Sequence, residues 1–189
     1  MSKIHILTFM LFMINVTFSQ DDIDDAIIYT LKSDRSIVYP GEVTTLIVDI
    51  DLMKGYYIYS THPEKSLSPS YIEWVDSSYF DLIGVLMEPK SKIKYDSNFD
   101  MEIGYHVSQL QFQQDLKISS TIKPGKYDLK GTFIYQVCDP IKCIPHWDDF
   151  SLEINIHDGI KREKYLSAIQ TEFNELGFDE DGNELDEVI

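Results

Sequence analysis

Two cysteines stand five residues apart in the stretch Tyr135-Gln136-Val137-Cys138-Asp139-Pro140-Ile141-Lys142-Cys143-Ile144-Pro145, and the chain has no others. Thiol chemistry is therefore the first chemistry the sequence offers. Along an extended strand, residues at that separation lie roughly 16 Å apart, whereas a disulfide requires Cα atoms within about 7 Å. The chain must reverse between them. Asp139-Pro140 supplies the means, because proline presets φ for the second position of a turn and aspartate favours the first. The expectation is a hairpin closed at its tip by a Cys138–Cys143 disulfide. Pro145 is expected to free the departing segment from full ladder pairing, leaving the tip accessible.

Such a bond is either a structural staple or a centre of thiol–disulfide exchange. In the chain-entropy picture a six-residue loop yields only about 2 kcal/mol, little for a staple, and short exposed disulfides are the labile kind. Asp139 should disfavour a thiolate at Cys138, whereas Lys142 and His146 should favour one at Cys143, so Cys143 is the expected nucleophile. The five histidines, His5, His62, His106, His146 and His157, show no ligand spacing, and neither a metal nor a cofactor is expected. No serine-based hydrolytic constellation is recognisable.

The elements that must carry this tip read as strands. Apolar residues alternate or run briefly over Ala26 to Leu31, Val43 to Leu52, Tyr56 to Tyr59, Tyr79 to Met87, Met101 to His106, Leu110 to Ile118, Tyr127 to Val137 and Phe150 to Ile156. Pro40-Gly41, Lys54-Gly55, Pro63, Pro69, Pro89 and Pro124-Gly125 break them. Tyr127 to Val137 carries apolar residues on both faces, which suits a central strand. The fold class is all-β, an immunoglobulin-like antiparallel β-sandwich. From about Gly159 the period changes: Tyr165, Leu166, Ile169, Phe173 and Leu176 recur at helical spacing, predicting a short C-terminal helix, followed by an acidic tail expected to be solvated.

Met1-Ser2-Lys3 leads into an apolar stretch from Ile4 to Phe18, a signal-peptide pattern with cleavage expected after Ser19; a retained amino-terminal anchor is the alternative. The expected organisation is residues 1–19 as signal peptide, 20–157 as the sandwich, and 158–189 as helix and tail. With 16 Lys+Arg against 32 Asp+Glu and a net charge of −16, nucleic acid is excluded as a natural partner. A disulfide also fits an oxidising compartment, so the expected location is periplasmic.

At these residues the chain resembles the amino-terminal periplasmic domain of the thiol:disulfide interchange protein DsbD, a disulfide-bond corrector type domain. The resemblance runs from about Val43 to Ile156. It rests on Tyr135-Gln136-Val137-Cys138 to Cys143-Ile144-Pro145, on the glycine-aromatic strand Lys54-Gly55-Tyr56-Tyr57-Ile58-Tyr59-Ser60, and on the proline-led strand entry Ser68-Pro69-Ser70-Tyr71-Ile72-Glu73-Trp74. It implies that Cys138 and Cys143 take electrons from a thioredoxin-like redox protein or membrane thiol reductase and pass them to oxidised periplasmic client proteins. It also implies a cap over the disulfide, for which Asp96 to Phe99 occupies the corresponding place, with Phe99 as shield and Tyr95 or Tyr105 as alternatives. The family usually joins this domain to further redox domains, and no Cys-x-x-Cys occurs here, so the expected electron donor is another polypeptide. The competing reading is a non-enzymatic exported immunoglobulin-like binding module with a purely structural disulfide.

Overall fold

The computed structural model describes residues 26–96 and 100–168. Eleven strands follow one another: β1 (Ile27–Ser33), β2 (Ile37–Val38), β3 (Val43–Leu52), β4 (Tyr57–Tyr59), β5 (Tyr71–Trp74), β6 (Phe80–Met87), β7 (Lys92–Asp96), β8 (Met101–His106), β9 (Gln109–Ile118), β10 (Gly125–Cys138) and β11 (Cys143–Ile156). They form two sheets, one in the order β1-β3-β9-β6 and one in the order β2-β11-β10-β4-β8-β7, with β5 also paired to β10. Pairing is antiparallel throughout except for β2 against β11. This is the immunoglobulin-like antiparallel sandwich that the alternation predicts.

Alternation explains why the two sheets close. Val48, Ile50 and Phe112 from the first sheet meet Ile58, Phe133, Tyr135 and Val137 from the second, all at most 3 % exposed. Toward the other end, Leu46, Phe80 and Leu116 meet Leu129, Ile154 and Ile156. Burial of this apolar surface is the main force holding the sheets together. Gly131 lets β5 approach β10, since a Cβ there would sit 2.7 Å from the carbonyl oxygen of Glu73. Substitution at that point would push β5 off the sheet.

Three expectations change. β11 is continuous from Cys143, with Gln136 opposite Pro145 in an unbroken register, so Pro145 does not release the departing strand. Asp139 N–H donates to the Lys142 carbonyl, which makes that pair hydrogen-bonded. Counting along the ladder, Cys138–Cys143 and Gln136–Pro145 then fall at non-hydrogen-bonded positions, where the missing N–H of proline is not needed. β7 was not legible, because Lys92-Ile93-Lys94-Tyr95-Asp96 is an edge strand whose Ile93 and Tyr95 are exposed. At the carboxy-terminal end, residues 163–165 form one 3-10 turn instead of the start of an amphipathic helix, and the rest of the expected helix and tail lies outside the described residues. Tertiary contacts claim that segment. Tyr165 lies under the guanidinium groups of Arg35 and Arg162, 3.7 and 4.4 Å from its ring centroid. The expected signal peptide also falls outside the described residues, and no described helix is long and apolar enough to cross a membrane.

The segment after β11 is clasped to the sandwich at the pole opposite the cysteines. Glu42, fully buried, accepts hydrogen bonds from Arg162 Nε and N–H at 2.9 and 2.7 Å and from Arg162 Nη2 at 2.8 Å, and another from the Tyr39 N–H. Burial alone would raise the Glu42 pKa, but these bonds outweigh it and hold the carboxyl below its ordinary value. Arg162→Met would remove both guanidinium bonds and leave that carboxylate with backbone N–H donors alone, the remaining cation, Arg35, being 4.0 Å away. It should lower stability by about 2 kcal/mol in urea unfolding, because a buried charge loses its paired cation and two hydrogen-bond donors. A loss of only a few tenths would mean that Arg162 contributes no more than an exposed ion pair.

Candidate redox site

The site is the tip of the β10–β11 hairpin. Cys138 pairs with Cys143 across the ladder, and the two form a disulfide with Cα atoms 4.0 Å apart. Asp139 folds the intervening turn: its Oδ1 accepts the N–H groups of Ile141 at 2.6 Å and Lys142 at 2.8 Å. Those two backbone bonds hold the Asp139 carboxyl below the usual carboxylate range. Val137 points into the core, so Cys138, next along the strand, faces the outer surface of the second sheet. There it packs with Tyr59 and Ile103 and is fully buried, whereas Cys143 is half-buried. One sulfur is shielded and the other is within reach.

β4 supplies the groups nearest the reachable sulfur. The hydroxyls of Tyr59 and Tyr57 lie 3.6 and 4.0 Å from Cys143 Sγ. Burial, then the neighbouring Tyr57 and Asp96, pushes the Tyr59 phenol up to about 12, and burial followed by Asp96 raises Tyr57 as well. Both therefore keep their protons through the neutral range; the two hydroxyls also hydrogen-bond each other, which leaves the Tyr57 proton to face the sulfur. Tyr57 meets Tyr59 and Tyr105 edge to face, at 5.9 and 5.5 Å. Lys94 stands over the Tyr57 ring, its Nζ 3.7 Å from the centroid. These side chains and the turn enclose an open groove of about 460 Å³, also lined by Leu67, Asp96, Pro140 and Ile141.

The sequence-predicted residues do not all converge. Asp96, Asp139 and Lys142 line the groove with Cys143. Phe99, the expected shield, lies outside the described residues. His146 is three positions beyond Cys143 on a strand, so its side chain is on the opposite face, stacked on Tyr135 with centroids 4.9 Å apart. Tyr57, Tyr59 and Lys94 were not singled out as site residues. The glycine-aromatic strand contained the signal for the two tyrosines, but Lys94 had none, because β7 itself was not legible. Among the described residues no group of three or more His, Cys, Asp or Glu is arranged to hold a metal ion.

Sequence matching decides the family. The chain matches the family model "Thiol:disulfide interchange protein DsbD, N-terminal" over residues 30–155. The protein belongs to the DsbD N-terminal domain family. No curated protein matches it. Among solved structures it is similar to the reduced DsbD N-terminal domain of Neisseria meningitidis, at 17% identity and a TM-score of 0.45, covering 70% of this chain and 89% of that one. It is also similar to the N-terminal periplasmic domain of ScsB from Proteus mirabilis, at 18% identity and a TM-score of 0.47, covering 68% of this chain and 45% of that one. A third is the complex between the DsbD N-terminal and PilB N-terminal domains from Neisseria meningitidis, at 14% identity and a TM-score of 0.43, covering 69% of this chain and 83% of that one. The DsbD-type match spans all but the edges of the sandwich and includes both cysteines.

What holds the tyrosines in place is a carboxylate from the other sheet. β4 is only three residues long, and Glu88, just past β6, anchors the chain as it leaves β4. Glu88 accepts hydrogen bonds from Ser60 Oγ and the Thr61 N–H, both at 2.6 Å, and lies 3.0 Å from His106 Nε2. Its side chain is 4 % exposed. Burial would raise its pKa, but the bonds from His106, Ser60 and Thr61 outweigh this and bring it below the ordinary value of 4.5. A depressed folded pKa contributes stability that is present above the ordinary value and lost as pH falls through the folded one. Glu88→Gln should cost about 2 kcal/mol near neutral pH. Between about pH 6 and pH 3 the parent protein should lose more stability than the variant, since only the parent has this carboxylate to protonate. Parallel urea-denaturation stabilities across that range would contradict the assignment.

Proposed function

We propose that this protein performs thiol–disulfide exchange through Cys138 and Cys143 in the periplasm, between a thioredoxin-like redox protein or membrane thiol reductase and oxidised client proteins. The observation that carries the reading is the asymmetry of the pair: a fully buried Cys138 bonded to a half-buried Cys143 that opens on a groove. Membership of the DsbD N-terminal family supports the reaction class.

The electron count closes with two thiols on each side. A thiolate of the reduced partner attacks Cys143 Sγ, the Cys138–Cys143 bond breaks, and Cys138 leaves as a thiolate that takes a proton from solvent. The partner's second thiolate then attacks its own sulfur in the mixed disulfide, which oxidises the partner and frees Cys143. In the forward half, Cys143 thiolate attacks a client disulfide, the client's leaving sulfur is protonated, and Cys138 resolves the mixed disulfide. The pair is then oxidised again and the client holds two thiols. The hydroxyls of Tyr57 and Tyr59 stand beside Cys143 Sγ, the sulfur that carries charge when the partner releases Cys143 and when Cys143 attacks the client.

The bond opens without unfolding the sandwich on this account, because loop closure contributes about 2 kcal/mol against a domain stability of roughly 5–15 kcal/mol. Cys138→Ser should accumulate a mixed disulfide through Cys143 with a thioredoxin-like protein lacking its resolving cysteine, and Cys143→Ser should trap about tenfold less. Non-reducing electrophoresis with mass identification of the linked cysteine reads the result. Equal trapping would remove the asymmetry. Trapping by neither variant would leave the disulfide a structural bridge in a binding module.

A further inference from the structure

Exchange in the forward direction needs Cys143 as a thiolate, and the groove holds charges of both signs around it. From the turn come Asp139 and Lys142, from β7 Lys94 and Asp96, and from β4 the phenols of Tyr57 and Tyr59, with Tyr105 of β8 packed behind them against Tyr57 and Lys94. The two carboxylates oppose a thiolate and the two ammonium groups favour it. The cations are not equivalent. Lys142 is exposed on the turn, where water and salt screen its charge. Lys94 is half-buried and held by packing, with Nζ 3.7 Å from the centroid of Tyr57 and 5.2 Å from that of Tyr105. Its register partner on β8 is Ile103, which packs with Cys138 and Tyr59, so Lys94 shares the face that carries the disulfide. Burial draws the Lys94 ammonium below its ordinary value, which reflects a site where its field is poorly screened.

We propose that Lys94 is a positioning residue for exchange, setting how much of Cys143 exists as thiolate in the reduced protein by acting through the ring of Tyr57. A cation on the face of a phenol ring withdraws electron density and makes its hydroxyl a stronger donor, and Tyr57 Oη is 4.0 Å from Cys143 Sγ. The ammonium also attracts the thiolate directly across the groove. Deprotonation sends the Cys143 proton to solvent, and the resulting thiolate attacks a client disulfide as described above. The inference rests on the exchange reading for its function but not for its measurement.

Alkylation of the reduced full chain by iodoacetamide as a function of pH tests it, with the modified cysteine identified by mass. Lys94→Met should move the midpoint for Cys143 upward by about one pH unit and slow its alkylation on the order of tenfold near neutral pH. Lys94→Arg should stay within about twofold of the parent protein, and Lys142→Met should shift the profile less than Lys94→Met does. Lys94→Gln makes the same comparison if the methionine variant fails to fold. An unchanged profile in Lys94→Met, or an arginine variant as slow as the methionine one, overturns the proposal. Because alkylation needs no partner protein, an unchanged profile with normal mixed-disulfide trapping refutes the lysine's role alone. A shifted profile without trapping refutes exchange alone and leaves the thiolate control standing.

Discussion

The antiparallel ladder between Gly125–Cys138 and Cys143–Ile156 fixes almost everything else about the site. Its register sets Cys138 opposite Cys143, and because strand residues alternate in direction it also decides which neighbours can reach the sulfurs. Val137 and Ile144 turn inward toward the core, while both cysteines turn outward. A one-residue slip of β11 against β10 would take Cys143 out of register with Cys138 and turn the inward side chains of the slipped strand to the groove face. The long hydrogen-bonded ladder and the apolar core under it resist that slip, and the disulfide adds little to them. Its chemistry is therefore free to change without the fold changing.

Support for the site comes from both sheets. Phe133 and Tyr135 on the inner face of β10 pack against Tyr29 from β1, and Asp148 of β11 accepts hydrogen bonds from the hydroxyls of Tyr29 and Tyr135 at 3.1 and 2.7 Å. Glu88 reaches across from the end of β6 to hold the residues that follow β4. Ser70 completes the anchor, its Oγ donating to the carbonyl of Tyr59 at 2.9 Å. The outer-face groove is thus built on a rigid base, with the tyrosine hydroxyls fixed and only the turn and β7 exposed around them. Such an arrangement suits a sulfur that undergoes exchange while the groups around it stay in place.

Much of this was legible in the residues. Cysteine spacing with Asp139-Pro140 forces the hairpin, and the long alternations of β3, β9 and β10 give the sandwich, because those strands bury one face or both. Legibility fails where burial fails. β7 alternates lysine with exposed Ile93 and Tyr95, carries no core signal, and is recognised as a strand only by its pairing to β8. Lys94 went unnoticed with it. Proximity in sequence misplaced His146, which three steps along an extended strand carry to the far face. The same limit applies at Tyr165, whose helical spacing yields to the pull of Arg35 and Arg162 on its ring.

The central claim is that the Cys138–Cys143 bond is made to be opened. Equilibrating the protein with glutathione buffers, while following both the thiol content and the circular dichroism of the sandwich, measures it most directly. The account predicts a reduction potential above about −300 mV with the β-sheet signal unchanged on reduction. A potential below about −300 mV, or loss of the fold when the bond opens, would contradict it and mark the disulfide as structural.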